Sequence, residues 1–316
     1  LVALPDFGAG AMENWGLETF RETALLIDSE NSSVAARERV ADVVDHELAH
    51  HWFGNLVTMR WWTHLWLNEG FANFVENKAV KKQFPEWERS LRFIAEDIIG
   101  ALHAMDKKNS HAIEIDVRNP EEIREIFDTT TYSGGGSVNH MNEQYLGEEG
   151  FRRGLHSYLN EYAYGNATTQ QLWEMLEKAT GKPVRSVMGT YTRQAGYPLV
   201  IVKEKESRKG LRSFEFEQHR FLFDGSSDQK NPKWTIPIGV VGSFSSQLPY
   251  HYMRSKKMKL AIESSANDWI KLNPGTSALY RVLYPEHMLQ TLAKAIKEED
   301  GNMTPADRIG LLDDAF

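Results

Sequence analysis

Apolar residues recur at helical spacing through most of the first two thirds of the chain. Their three-to-four-residue period predicts α-helices over 34–52, 67–83, 86–104, 151–162 and 169–179. From residue 197 apolar and polar residues alternate instead, which predicts β-strands near 199–202, 214–216, 234–238 and 278–282. The helical pattern returns from residue 285. The sequence therefore predicts a mainly helical region, a small β-region and further helices.

Composition and charge narrow the class of protein. A length of 316 residues suggests two or three domains, and a hydrophobic content of 41% is enough to form a hydrophobic core in each. The chain has no apolar run of about eighteen residues, so we predict no transmembrane helix, and its first residues lack a signal-peptide pattern. A net charge of −8 argues against nucleic acid as a partner. The lack of cysteine excludes disulfides and thiolate ligands and fits a reducing compartment, so we predict a cytoplasmic location.

The strongest chemical signal is the motif HELAH at positions 46–50, followed by Glu69. His46 and His50 lie four positions apart, so on a helix both imidazoles project from one face. Glu69 lies in a second predicted helix and offers a hard anionic ligand. Two histidines and one carboxylate with a position left for water form a catalytic zinc arrangement, whereas structural zinc sites are usually closed by four protein ligands. The spacing therefore predicts one zinc ion per chain, bound by these three residues.

An HExxH motif also occurs on ordinary surface helices, so its surroundings have to be considered. An apolar face on the first helix predicts that the motif is partly buried, with its histidines facing inward. That face consists of Val40, Val43, Val44, Leu48 and Ala49. The segment after Glu69 has apolar positions of its own at Phe71, Phe74, Val75 and Ala79. Both halves of the predicted site therefore rest on rigid elements, which favours a metal site.

The motifs resemble those of the gluzincin zinc aminopeptidases, with the greatest similarity to the puromycin-sensitive branch. The resemblance begins with GAMEN at positions 10–14 and continues with HELAHHWFGNLVT at 46–58 and WWTHLWLNEGFA at 61–72. Further segments follow in the family's order at 109–111, 125–128, 194–198 and 280–284. Members of this family are far longer than this chain. By resemblance, the chain looks like an internal fragment that begins inside the catalytic domain.

The resemblance also implies a fold and a division into domains. We expect an α+β fold with a thermolysin-like, mainly helical zinc-peptidase domain over residues 1–196, whose start is missing. A small β-sandwich over 197–284 and the start of a C-terminal helical domain over 285–316 should follow. Within the sequence itself, Thr168 and Gln171 predict a helix start with a capping box, and Gly181 with Pro183 predicts the end of that helix.

The resemblance implies a role for each candidate residue. Glu47 would act as general base towards a zinc-bound water, and the hydroxyl of Tyr132 would donate a hydrogen bond to the oxyanion. Glu13 would hold the free α-ammonium group of a peptide substrate. Its neighbours Gly10, Ala11, Met12 and Asn14 are expected to contact substrate as well. His51 lies about 100° around the helix from His50, so we expect it to be structural.

One segment departs from the family pattern. Where the family has Tyr-x-Lys-Gly-Ala-Ser-Val, this chain has YSGGGSV at 132–138, with glycine in place of the lysine and of the alanine. Because glycine costs backbone entropy in a helix, we expect these residues to leave Tyr132 poorly held.

Two alternatives to an aminopeptidase remain at this stage. The chain could be a catalytically weak or inactive zinc-binding fragment that serves as a binding module or antigen. It could also belong to a related epoxide-hydrolysing or endopeptidase branch, although Glu13 favours exopeptidase action. The sequence leaves the oligomeric state open.

Overall fold

The computed structural model describes residues 1–208, 210–244 and 248–315, which form ten α-helices and thirteen β-strands. They fall into two compact units. The first comprises Leu1–Phe93 and Glu114–Lys182, and the second comprises Ile94–Ile113 and Pro183–Phe316. This mixed content agrees with the predicted α+β class, whereas the predicted boundaries after residues 196 and 284 stay predictions. No helix in these ranges is long and apolar enough to cross a bilayer.

The helices follow the predicted order along the chain. They are α1 Val34–His50, α2 Trp66–Gln83, α3 Arg89–Arg92, α4 Ile99–Met105, α5 Gly135–Leu146, α6 Glu148–Glu161, α7 Thr169–Thr180, α8 Val184–Thr192, α9 Glu286–Lys297 and α10 Pro305–Ala315. The predicted capping box is present at α7, where Thr168 and Gln171 exchange side-chain-to-backbone hydrogen bonds. The single helix predicted over 86–104 begins at Arg89 instead and is divided into α3, a π-helical stretch at Phe93–Ile98 and α4. Glu88 has a φ of 49°, a left-handed conformation that an α-helix does not continue through.

Helix α1 differs from the prediction in which of its faces is buried. Its buried residues are mostly polar: Glu38, Asp45, Glu47, Ala49 and His50. Leu48, which the sequence assigns to the buried face, is 42% exposed. The inward orientation of α1 is therefore set by the polar groups that it brings to the candidate site, and not by an apolar stripe.

The first unit contains two small sheets. Strand β3 (Thr19–Arg21) is central in the first, with β1 (Val2–Leu4) parallel to it on one side and β2 (Ala11–Met12) antiparallel on the other. β2 is therefore an edge strand of this sheet. The second sheet pairs β4 (Val57–Met59) with β5 (Gly165–Ala167) in parallel.

The second unit contains a four-stranded sheet in the order β11-β7-β6-β13 and two two-stranded ladders, β8 with β10 and β9 with β12. These strands are β6 Pro198–Arg208, β7 Leu211–Arg220, β8 Ile236–Ile238, β9 Val240–Gly242, β10 His251–Met253, β11 Lys257–Glu263, β12 Ile270–Leu272 and β13 Arg281–Leu283. β6 and β7 lie where alternation predicts strands, β8 and β13 overlap only part of the predicted segments 234–238 and 278–282, and β9 to β12 were not predicted. The arrangement of these strands as a sandwich stays a prediction.

Stacked aromatic side chains form the core of the first unit beside α2. The rings of Phe53 and Phe71 stack with centroids 4.3 Å apart, and Trp66 contacts both Phe71 and Trp173. The indole of Trp66 is fully buried and donates a hydrogen bond of 3.0 Å to the Thr169 hydroxyl. Close packing of this kind fixes side-chain positions, so the start of α2, which carries Glu69, is held rigidly.

Candidate metal centre and its surroundings

His46, His50 and Glu69 come together at one point between α1 and α2. The two Nε2 atoms lie 3.1 Å apart, and Oε2 of Glu69 lies 3.2 Å from Nε2 of His46 and 3.3 Å from Nε2 of His50. Donor atoms about 2.0–2.1 Å from a tetrahedral zinc ion lie about 3.3 Å from one another. The three atoms therefore have the mutual spacing that a single zinc ion requires.

Hydrogen bonds on the other ring nitrogens orient both histidines. Nδ1 of His46 donates to Oε2 of Glu76 at 2.6 Å, and Nδ1 of His50 donates to the backbone oxygen of Phe53 at 2.9 Å. With the protons on Nδ1, each Nε2 presents its lone pair to the centre, as metal-binding histidines do. Three acceptor atoms then face one another with no donor between them, an arrangement that a cation stabilises.

Glu76 was not among the residues predicted from the sequence. It lies seven positions after Glu69 on α2, two helical turns along the same face. That spacing is the signal by which a second carboxylate behind the site could have been found.

Burial and neighbouring groups shift the pKa values of the three residues at the centre. Burial by itself raises the pKa of Glu69, but a proton carried on Nε2 of His46 or His50 gives the carboxylate a hydrogen bond and a positive charge that outweigh burial and lower that pKa to about 2. Burial opposes the charged forms of the two histidines as well, yet their carboxylate neighbours raise both imidazole pKa values. The centre therefore holds an ionised carboxylate and attracts positive charge.

Glu47 lies beside these atoms, and the pKa of its carboxyl group is raised where that of Glu69 is lowered. Burial raises the pKa of its carboxyl group to about 7, against the opposing influence of His46 and His50. The residue is 5% exposed, and its Oε2 atom has no hydrogen-bond partner within the described part of the chain. A buried carboxyl group with a free oxygen and a pKa near neutrality is suited to accepting and returning a proton.

Glu13 and Tyr132 border the same centre. A carboxylate oxygen of Glu13, one of Glu47 and a ring nitrogen of His50 all lie within 4.8 Å of one another. The ring of Tyr132 stacks on the imidazole of His46 with centroids 5.8 Å apart and 13° between the planes. Burial, followed by the charge of Glu69, raises the pKa of the Tyr132 phenol, so its hydroxyl keeps its proton.

The remaining predicted substrate-contacting residues lie along the first small sheet. Ala11 and Met12 form the edge strand β2, and the backbone oxygen of Gly10 accepts a hydrogen bond from Arg21. The amide of Asn14 donates to the hydroxyl of Thr19 at 3.2 Å, so it shapes its own loop. The structure thus places the backbone of 10–12 in the first small sheet, directly before Glu13, and uses the Asn14 amide within the loop.

The glycine segment is packed tightly, so the expectation that it leaves Tyr132 loosely held is wrong. Gly134 and Gly135 have helical backbone angles at the start of α5. A Cβ atom on Gly70 would lie 2.7 Å from Cα of Gly135, so the two backbones are in direct contact. A Cβ atom on Gly136 would lie 2.0 Å from the Asn73 side-chain oxygen. At Gly70 the neighbour is backbone, so this position needs glycine because α5 approaches α2 too closely for a side chain; at Gly136 the neighbour is the end of the Asn73 side chain, which would have to move to admit a Cβ atom.

The chain is similar in sequence to known peptidases. The family model described as the peptidase family M1 domain matches residues 1–191. A puromycin-sensitive aminopeptidase from Caenorhabditis elegans is 44% identical over 99% of this chain and 33% of its own length. An Arabidopsis thaliana aminopeptidase M1 is 42% identical over 100% and 36%, and a Gloydius brevicauda aminopeptidase A is 39% identical over 100% and 33%. The chain spans about a third of the length of these relatives.

Proposed function

The chain belongs to peptidase family M1, and from this premise we propose that it is a zinc-dependent aminopeptidase that removes N-terminal residues from peptides. The observation that carries the proposal is the group of three donor atoms 3.1–3.3 Å apart with the carboxylates of Glu47 and Glu13 beside it. Similarity to proteins named aminopeptidases supports it.

His46, His50 and Glu69 are the residues that would hold one zinc ion. An ion bound there would supply Lewis-acid chemistry by polarising a carbonyl group and lowering the pKa of water to about 7. Glu76 and the backbone oxygen of Phe53 keep the two imidazoles in the orientation and tautomer that binding requires.

Glu47 is the general base. Its buried carboxylate accepts a proton from the attacking water and then delivers that proton to the leaving amine. The unpaired Oε2 atom and the raised pKa support this role, because the group is free to take a proton and acidic enough to release it.

Tyr132 stabilises the negative charge that develops on the carbonyl oxygen. Its phenol stays protonated because of burial and the nearby carboxylates, so it is a donor throughout the reaction. Stacking on His46 keeps the ring next to the metal ligands. One oriented donor of this kind contributes about 2.7–4 kcal/mol of transition-state stabilisation.

Glu13 makes the enzyme an exopeptidase. A carboxylate that is close to both Glu47 and His50 holds an α-ammonium group one residue away from the bond to be cut. The edge strand β2, Ala11–Met12, has a free side on which an extended substrate backbone can pair.

Hydrolysis of aminoacyl fluorogenic substrates tests the proposal. The 316-residue chain is assayed after chelation and after addition of one equivalent of zinc, with Glu47→Gln as the matched inactive variant. We expect zinc to restore turnover in the wild type only, and N-acetylated substrates to resist cleavage. A zinc-loaded chain without turnover, or with the same turnover in Glu47→Gln, would contradict the proposal.

A further inference from the structure

Two hydrogen bonds connect the loop that carries Glu13 to the residues that follow α1. The side-chain amide of Asn55 donates to the backbone oxygen of Glu13 at 2.8 Å. Four residues earlier, Nε2 of His51 donates to Oε1 of Glu18 at 2.5 Å. The two bonds hold the start and the end of the segment 13–18, so this segment cannot shift without breaking at least one of them.

The two bonds are coupled to each other. In the neutral tautomer of His51 that donates from Nε2 to Glu18, Nδ1 is an acceptor, and the Asn55 amide lies 3.5 Å from it. Glu18 is 5% exposed, so loss of its partner leaves a carboxylate buried without a donor, which is costly. His51, Asn55 and Glu18 therefore act as one unit, called here the loop clamp.

The loop clamp begins at a metal ligand. His51 directly follows His50, and the backbone N–H of Asn55 donates to the backbone oxygen of His50 at 2.9 Å. From there the Asn55 side chain reaches Glu13. Only two hydrogen bonds, of 2.9 and 2.8 Å, separate the residue that holds zinc from the residue that holds the substrate ammonium group.

We propose that Asn55, supported by His51 and Glu18, is a positioning residue that fixes the distance between Glu13 and the metal ligands. Through that distance it determines how strongly the enzyme prefers substrates with a free amino terminus. The inference rests on the proposed aminopeptidase function. Asn55 touches neither the metal nor the reacting atoms; it acts through the Glu13 backbone.

Replacement of Asn55 by leucine removes the donor at similar size. A misplacement of about 1 Å at a reacting site costs about 100-fold in rate, so we expect kcat/KM for free-amine substrates to fall roughly 10- to 100-fold, mainly through KM. Residual cleavage of N-acetylated substrates should not change, because it does not use Glu13. Zinc content should also stay at one per chain.

Asn166→Leu is the matched control. Asn166 is exposed and likewise donates its side-chain amide to a backbone oxygen, that of Met59 at 3.2 Å, but it is not connected to Glu13. Hydrogen exchange of the metal-free protein gives a readout independent of turnover. Amides of segment 10–18 should exchange faster in Asn55→Leu and at the wild-type rate in Asn166→Leu.

His51 offers a rescue test within the loop clamp. His51→Ala should lower kcat/KM for free-amine substrates as Asn55→Leu does. His51→Gln should restore most of it, because a glutamine amide can donate to Glu18 from about the position of Nε2. A glutamine variant as impaired as the alanine variant would contradict a role through this bond.

A double-mutant cycle separates this inference from the proposed function. In a Glu13→Ala background, Asn55→Leu should have no further effect on the preference for free amines. If wild type and Glu13→Ala cut free and acetylated substrates alike, the proposed role of Glu13 fails. If wild type discriminates but Asn55→Leu discriminates equally well, with unchanged hydrogen exchange, the positioning role of Asn55 is overturned.

Discussion

Alanine at Gly70 tests whether the contact between α2 and α5 supports the site. The added Cβ atom would lie 2.7 Å from Cα and 2.8 Å from the carbonyl carbon of Gly135. Ordinary contacts begin at 3.4 Å, so the two backbones must separate by about 0.7 Å to reach one. The aromatic core holds α2 through Trp66 and Phe71, so we expect the start of α5 to move and to carry Tyr132, three residues before Gly135, away from the candidate metal centre.

The magnitude follows from that displacement. Overpacking of a tight contact costs about 1–3 kcal/mol of unfolding free energy, and a unit of this size loses about 2–4 °C in Tm for each kcal/mol. A shift of the Tyr132 hydroxyl approaching 1 Å lowers turnover by up to about 100-fold. Because the proposed role of Tyr132 is to stabilise the transition state, the loss should appear in kcat more than in KM.

The assay measures Tm, zinc content and kcat in Gly70→Ala and in the control Gly100→Ala. Gly100 lies in α4 with no atom within 4 Å of its added Cβ, so alanine there should be neutral or stabilising by up to about 1 kcal/mol. Introduction of Tyr132→Phe into both proteins completes the test. If Gly70→Ala lowers kcat as much in the Tyr132→Phe background as in the wild type, the loss of kcat does not arise from a displaced Tyr132. That result would contradict the expected link between the helix contact and the site.

Four further predictions concern the centre and its surroundings. His50→Ala should lose zinc almost completely by metal analysis, and chelation of the wild type should lower Tm, because zinc binds the folded state. Glu47→Gln should keep zinc and lose turnover, since the amide cannot accept the proton. Tyr132→Phe should keep zinc and lower kcat about 100- to 1,000-fold. Burial and two nearby lysines lower the pKa of His140 to about 4, so unfolded chains bind more protons than folded chains between pH 6.5 and 4. Acidification through that window should therefore remove up to roughly 3 kcal/mol of stability. Urea titrations should find a smaller loss in His140→Gln.

The pairing of His46 with His50 could be predicted because helical spacing determines it, whereas the place of Glu69 beside them depends on how α2 packs against α1. Two residues four apart on one helix must share a face, whatever surrounds them. The capping box at Thr168 is similarly local. Such features depend on residues close in sequence, so a single sequence contains them.

Other features depend on contacts between distant segments, which one sequence does not reveal. The bond from Asn55 to Glu13 spans 42 positions, and the pair of His51 with Glu18 spans 33. The contact of Gly70 with Gly135 could not be inferred from composition, where a glycine run indicates freedom and not close packing. The exposure of Leu48 does not follow from the apolar pattern of α1, because the residues that this helix buries are mostly polar.

The polar inner face of α1 reverses the usual pattern of mutational tolerance for a helix. In a scan of all substitutions along this helix, polar replacements at the half-exposed Leu48 should be accepted. Apolar replacements at Asp45, whose buried carboxylate receives the Gln83 amide, should be rejected. A design procedure that rewarded apolar burial alone would rotate α1 about its axis and remove the ligands from the centre. Helix α1 therefore buries polar groups of the candidate site where a helix usually buries apolar side chains. The aromatic core beside α2 has to supply the stability that α1 does not.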